Sequence, residues 1–172
     1  MRTKKPKSEE RAYCLRVFVI PEKSPKMSFG KHNLRLSKKK NIPWREIIML
    51  ETHSLYQFAE SIIQAFDFDF DHCFGFFSSL DTPFKNDSSE KYELFVDIGE
   101  DPPLGSRAVK TALLKNVFPS DGKKMLFYFD YGDGWHFRVE RVSELVPNKV
   151  AQYPLFRESV TESPEQYPDF EE

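Results

Sequence analysis

Two carboxylates and an imidazole lie close together in the segment DYGDGWH, residues 130–136. Asp130 and Asp133 stand three residues apart across a glycine-containing bend, and His136 follows directly. Side chains of these types bind a metal ion or move a proton when they converge. They also have a structural use, because an Asp that begins a turn accepts hydrogen bonds from the amides of that turn, and the adjacent Trp135 can fill a core. We favour the structural interpretation.

A second acidic cluster is the segment DFDFDH, which contains Asp67, Asp69, Asp71 and His72. In an extended strand the three carboxylates would line one face and offer oxygen ligands to a divalent cation. Directly after a helix, the same segment is more typical of a turn with exposed Asp and inward-facing Phe side chains. The second interpretation is the favoured one, although the sequence leaves both open.

The enzymatic alternative combines the two segments into a metal-assisted hydrolase. Asp133 or His72 would ligate the ion, with Asp130 beside them, and His136 would act as the general acid or base. The sequence contains no GxSxG elbow, no P-loop, no GxGxxG and no paired Cys/His spacing. We therefore expect no cofactor and no resident metal, and we favour a non-enzymatic binding or accessory domain.

Charge is distributed unevenly along the chain. Residues 1–45 hold 14 basic side chains against three acids, a net charge of +11, whereas residues 46–172 hold 11 basic side chains against 24 acids, a net of −13. A basic segment neutralises phosphates and releases counterions, so residues 23–45 are a candidate contact with DNA or RNA. The alternative is a solvated loop, or one that pairs with the protein's own acidic surface. The candidate contact residues are Lys31, Arg35, Lys38, Lys39 and Lys40, and aromatic residues are not interleaved with them as in a single-strand stacking platform.

Length and composition indicate one globular domain of 172 residues. No apolar run approaches the roughly 18 residues that span a bilayer, and no signal peptide is recognisable, so we expect no membrane partner and a cytoplasmic location. The expected organisation is a basic disordered tail at 1–10, one α+β domain at 11–146 with a long basic loop at 21–43, and an acidic extended tail at 147–172.

Apolar periodicity predicts the elements that position these residues. A stripe at helical spacing, preceded by the capping-box pair Ser54 and Gln57, predicts a helix from about Leu55 to Phe66. Strands are predicted at 12–20, 44–50, 73–77, 92–96, 124–130 and 135–142, and a short second helix within 109–117. The tail after Pro147 has no periodicity. The predicted fold class is α+β, with a largely antiparallel sheet packed against one main amphipathic helix.

Three segments in this order, Pro43-Trp44-Arg45, residues 54–76 and residues 126–140, resemble the plasmid pRi ORF-3-like family, whose members include TnpR-type passenger proteins of insertion elements. The resemblance covers about residues 12–142 and implies an α+β domain associated with plasmids and mobile elements, with no characterised activity. Glu46 departs from the family pattern, which often has a second Arg there, and the Cys- and Gly-rich tail of many members is missing. By residue matching the motif positions are Trp44, Arg45, His72, Asp130, Gly132, Asp133, Trp135 and His136. The resemblance thus defines a candidate pocket of Arg45, His72, Asp130, Asp133, Trp135 and His136.

Overall fold

The computed structural model describes residues 9–20, 42–80 and 88–167. Most of the basic segment 23–45 lies outside these ranges, as do the five basic residues singled out within it, namely Lys31, Arg35, Lys38, Lys39 and Lys40.

One antiparallel sheet of seven strands dominates the described part of the chain. The strands lie in the order β4-β3-β5-β6-β1-β2-β7, and each is antiparallel to its neighbours. The fold class is α+β, as predicted. The strands are β1 (Ala12–Ile20), β2 (Trp44–Leu50), β3 (Phe74–Phe77), β4 (Lys91–Glu93), β5 (Lys124–Phe129), β6 (Trp135–Leu145) and β7 (Leu155–Val160). Three helices accompany them in the same ranges, α1 (Leu55–Ala65), α2 (Leu94–Ile98) and α3 (Leu114–Val117).

Helix α1 begins as its sequence predicts. The Ser54 side chain accepts a hydrogen bond from the amide of Gln57, and the Gln57 side chain accepts one from the amide of Ser54, so two amides of the first turn are satisfied. On the apolar face of the helix, the ring of Phe58 stacks on Phe76 of β3 with centroids 5.8 Å apart. This face and one face of the sheet form a single buried cluster.

Strand alternation divides the side chains of β1 between the two faces of the sheet. Leu15, Val17 and Val19 are buried in the cluster that contains α1, whereas Arg16 and Phe18 between them are half-buried on the opposite side. We call this opposite side the outer face.

Two predicted elements are shorter than expected. The strand predicted at 92–96 stops at Glu93, directly before α2. Gly99, with φ 74°, follows the last residue of α2 and ends that helix. The short helix predicted within 109–117 corresponds to α3, which covers Leu114–Val117 and none of 109–113. The carbonyls of Val109 and Ala112 accept hydrogen bonds from the first amides of α1, so they serve that helix instead of a helix of their own.

The C-terminal segment is part of the sheet. The sequence predicts an extended tail against the domain, and the structure adds that Leu155–Val160 form β7, which pairs with β2. The short alternation of LFRESV and its partly exposed side chains give a weak strand signal, and pairing with the edge of β2 supplies the rest. No helix within the described ranges has both the length and the apolar character needed to cross a membrane.

Candidate functional site

The bend between β5 and β6 is organised by Asp130. Its Oδ1 accepts hydrogen bonds from the amides of Gly132 and Asp133, at 3.0 and 3.2 Å, and its carbonyl accepts one from Gly134 at 2.7 Å. Asp130 has φ 54° and Gly134 has φ 81°, which are conformations that Asp and Gly tolerate better than most residues. One carboxylate oxygen of Asp130 therefore serves the turn, and Oδ2 is left to face a neighbouring loop.

That neighbouring loop follows α1 and carries His72. The Nδ1 atom of His72 lies 2.7 Å from Oδ1 of Asp71 and 3.5 Å from Oδ2 of Asp130. The edge of the imidazole packs on the ring of Phe129, the last residue of β5. The backbone amide of Asp130 also donates to the carbonyl of Cys73, which holds the loop and the turn together.

A residue from the C-terminal segment completes this group. The hydroxyl of Tyr167 donates to the carboxylate of Asp71, at 3.1 and 3.2 Å from its two oxygens, and lies 3.3 Å from Nδ1 of His72. The preceding Gln166 accepts from the amide of Asp69 at 2.6 Å and donates to the carbonyl of the same residue at 3.1 Å. We call Asp71, His72, Asp130 and Tyr167 the His72 cluster.

The electrostatics of the cluster favour a protonated imidazole. The hydrogen bond to Asp71 raises the pKa of His72 above its ordinary value, and the charges of Asp130 and Asp133 act in the same direction. The same hydrogen bond lowers the pKa of Asp71. Partial burial, together with the hydrogen bond to Asp71, raises the pKa of Tyr167 to about 12, so its hydroxyl remains a donor.

Chemically, the His72 cluster can exchange a proton with solvent through a half-exposed imidazole. Within residues 9–20, 42–80 and 88–167, no three His, Cys, Asp or Glu side chains form a group that would hold a metal ion. These hydrogen bonds hold together three segments of the chain, namely the loop after α1, the β5–β6 turn and the C-terminal segment. We call this set of contacts the clasp.

The candidate pocket inferred from the family resemblance is divided by the sheet. His72 packs near Phe129, on the side of α1, whereas His136 packs on Tyr128 with ring centroids 4.2 Å apart. Tyr128 and Phe129 are consecutive strand residues and point to opposite faces. The two imidazoles are therefore not brought together, so a metal ion held by His72 would not have His136 beside it as the acid or base of the hydrolase alternative. Trp135 lies on the α1 side, edge-on to Phe68 with centroids 4.7 Å apart.

Arg45 is also remote from the His72 cluster and is buried. Its guanidinium donates to the carbonyl of Ala65 at the end of α1, at 2.8 Å, and to the side chain of Ser163 at 2.9 Å. Further hydrogen bonds run from the same group to the carbonyls of Trp44, Val160 and Thr161. The group lies over the ring of Phe66. Arg45 thus fastens α1 and the end of β7 to β2, which is a structural role.

The outer face carries a second set of residues that could contact a ligand. Phe18 of β1 is the register partner of both Trp44 on β2 and Arg138 on β6. Arg16 lies over the indole of Trp44, 4.8 Å from the ring centroid, and Arg138 lies over Phe18 at 4.6 Å. The result is a row of half-buried rings and guanidinium groups across three adjacent strands.

The family model described as plasmid pRiA4b ORF-3-like protein matches residues 31–167, which is most of the chain. The chain belongs to this family. A crystal structure of a protein of unknown function from Methanosarcina mazei Go1 is similar to the ORF-3-like chain with a TM-score of 0.63 and 18% identity, over 88% of this chain and 71% of that one. At that identity the likeness shows the fold. No curated protein is significantly similar in sequence.

Two features of this ORF-3-like protein could not be predicted from its sequence, namely the contact of Tyr167 with Asp71 and the row on the outer face. Tyr167 is noticeable only as one aromatic residue of an irregular tail, and its contact with Asp71 joins residues that are far apart in sequence. The alternation within β1 indicates that Arg16 and Phe18, which form part of the row, lie on the same face. Its assembly with Trp44 and Arg138 depends on strand register, which the sequence alone does not specify.

Proposed function

We propose that this ORF-3-like protein is a non-enzymatic binding domain that contacts nucleic acid through the basic segment 23–45. The observation that carries the proposal is the division of charge, with a net +11 in residues 1–45 and −13 in the remainder. Phosphate contacts are favourable only where positive charge is concentrated, so the acidic remainder confines binding to this segment and the surface next to it.

The described residues at the two ends of the segment and next to them support a localised contact. Ile20 ends β1 and Trp44 begins β2, and these strands are adjacent and antiparallel. The amide of Val19 donates to the carbonyl of Pro43 at 3.0 Å, so the chain leaves the sheet and returns to it at the same place. The two described residues that flank residues 21–41, Ile20 and Ile42, therefore belong to the same end of the sheet.

The His72 cluster offers weaker support for the enzymatic alternative. Asp130 uses one carboxylate oxygen for its turn, and Asp71 is engaged by both His72 and Tyr167. A catalytic base must have its acceptor available to substrate, and these acceptors already serve the protein. We therefore assign the function to the basic segment 23–45 and not to the His72 cluster.

The test is a titration of the full chain against short fluorescein-labelled DNA, followed by fluorescence anisotropy at about 50 mM and about 200 mM salt. Replacing Lys39 and Lys40 with Ala should weaken binding at low salt and reduce the salt slope by about 1.5, because each phosphate contact contributes about 0.7–0.9. The matched control replaces the exposed Lys115 and Lys149 with Ala, which removes the same charge elsewhere. The proposal fails if DNA does not bind at low salt, if binding is insensitive to salt, or if both double variants lose affinity equally.

A further inference from the structure

We propose that the outer face of the sheet binds unstacked bases of a single-stranded nucleic acid, with Trp44 and Phe18 as stacking surfaces and with Arg16 and Arg138 beside them. This inference rests on the proposed function and names its ligand class. The basic segment supplies contacts to phosphates, and the outer face supplies contacts to bases.

The aromatic residues lie where such a ligand would need them. Trp44 is the first residue of β2 and Phe18 is its register partner on β1, with ring centroids 6.3 Å apart. Both lie within a few residues of the ends of the basic segment. No Phe, Trp or Tyr lies between Lys31 and Lys40 in sequence, but antiparallel pairing of β1 with β2 brings the rings of Phe18 and Trp44 to the place where the segment joins the sheet.

The second observation is that Arg138 and Arg16 carry N–H donors without a hydrogen-bond partner. Within the described part of the chain, Arg138 stacks on Phe18 and makes no hydrogen bond or ion pair, because its register partners Phe18 and Leu126 are uncharged. Its Nε is buried without a hydrogen-bond partner, and so is the Nε of Arg16. A ligand cannot reach these buried Nε atoms, but the terminal nitrogens of half-buried Arg138 are donors that acceptors on a bound ligand would engage.

Arg16 is better satisfied than Arg138, since one of its terminal nitrogens lies 3.0 Å from Glu46. Glu46 is also 4.0 Å from Arg157, so this single carboxylate is shared by two arginines. Two further acids lie on this face, since Glu140 pairs in register with Arg16 and with Lys124, and Glu158 pairs in register with Glu46. Around the row, four cations thus accompany three carboxylates, and this positive balance favours a polyanion over a basic partner.

A single strand fits this face better than a duplex. Aromatic rings on a sheet stack against bases that are splayed out, and duplex DNA keeps its bases stacked and paired. Arginine planes next to the rings add stacking and cation–π contacts that depend little on base identity. The expected preference is for single strands of relaxed sequence.

The decisive comparison uses oligo(dT) and the oligo(dT)·oligo(dA) duplex, each labelled with fluorescein, at low salt. Trp44→Leu should weaken binding of oligo(dT) about tenfold, because one stacking surface is lost, and should change binding of the duplex by less than about twofold. The matched control is Phe156→Leu, which removes another partly exposed ring on β7 and should change neither affinity. Arg138→Gln should act in the same direction as Trp44→Leu.

A spectroscopic readout does not depend on the folding of the Trp44 variant. The chain has two tryptophans, so Trp135→Phe leaves Trp44 as the single indole. Oligo(dT) should quench its fluorescence in a saturable titration that follows the anisotropy. Equal loss of oligo(dT) and duplex binding in Trp44→Leu, or binding of oligo(dT) without quenching, would overturn this inference and leave the proposed function standing. If neither nucleic acid binds at low salt, the proposed function itself fails.

Discussion

The imidazole of His72 lies 3.5 Å from the carboxylate of Asp130, and this pair links the loop after α1 to the turn between β5 and β6. Asp130 is buried, whereas His72 is half-exposed, so the contact closes the edge of the core against solvent. His72 and Asp130 are each of a residue type that often acts in catalysis. Together with Asp71 and Tyr167, they explain how three separate parts of the chain are held in place.

The first prediction concerns pH. The pKa of His72 is raised in the folded protein, so its stabilising contribution is complete below the unfolded value of about 6.5 and is lost as pH rises through the higher folded pKa. The pKa of Asp71 is lowered, so its contribution is present above about 3.9 and is lost as pH falls through the lower folded pKa. The cluster should be strongest between about pH 4 and 6.5.

Proton NMR of the histidine rings checks this prediction directly. The pKa of His72 should lie above the ordinary histidine value. His53 provides an internal reference, because burial lowers its pKa. A titration of His72 at or below the value for His53 would show that the cluster does not form in solution.

The second prediction concerns the contact of the C-terminal segment. Tyr167→Phe removes the hydroxyl that donates to Asp71 and keeps the ring. Because Gln166 protects the amide of Asp69, hydrogen exchange at that amide should become roughly fivefold faster, as expected for the loss of about 1 kcal/mol. Tyr153→Phe is a control in another part of the same segment, and it should leave exchange at Asp69 unchanged. Unaltered exchange in Tyr167→Phe would contradict the clasp.

A third prediction tests the role of Arg45. Arg45→Lys keeps the charge but loses the planar fork that reaches both Ala65 and Ser163, so the free energy of unfolding should fall by about 2–3 kcal/mol. Urea denaturation measures the change. Arg11→Lys, at an exposed ion pair with Glu144, should change stability by less than about 0.5 kcal/mol. Similar midpoints for the two variants would refute the structural assignment of Arg45.

The fourth prediction separates the turn from the charge of Asp130. Asp130→Asn keeps an oxygen for the amides of Gly132 and Asp133 and tolerates φ 54°, so it should cost less than about 1 kcal/mol while lowering the pKa of His72. Asp130→Ala loses both hydrogen bonds and should cost about 2 kcal/mol. Thermal denaturation of both proteins, with a histidine titration of Asp130→Asn, makes the comparison. Equal stability of the Asn and Ala variants would show that the side chain does not hold the turn.

Local signals account for the parts of the fold that were predicted closely. β1 stops before Pro21, β2 starts after Pro43, and α1 begins at the Ser54 capping box, and each of these boundaries depends on a neighbour in sequence. The non-helical course of 109–113 depends instead on distant groups, because the carbonyls of Val109 and Ala112 accept from the first amides of α1. The same is true of β7, whose place at the edge of the sheet is decided by β2.

The candidate site shows the same division. The turn role of Asp130 is readable from its spacing to the glycines that follow. Whether His72 meets His136 depends on the face to which His136 of β6 points, and a shift of β6 by one residue would exchange His136 with its neighbours Trp135 and Phe137, which face α1. The contact of Tyr167 with Asp71 likewise requires the tertiary fold, since nothing local connects the two.

The position of β1 between β2 and β6 has a consequence for biosynthesis. β2 follows β1 closely, but β6 pairs Leu15 with Arg141, which the ribosome adds only after most of the chain has emerged. Until then one side of β1, with its apolar residues, has no strand to pair with and is open to intermolecular association. Long-range pairing of this kind slows folding, so the nascent chain should depend on holdase chaperones more than its size alone would suggest.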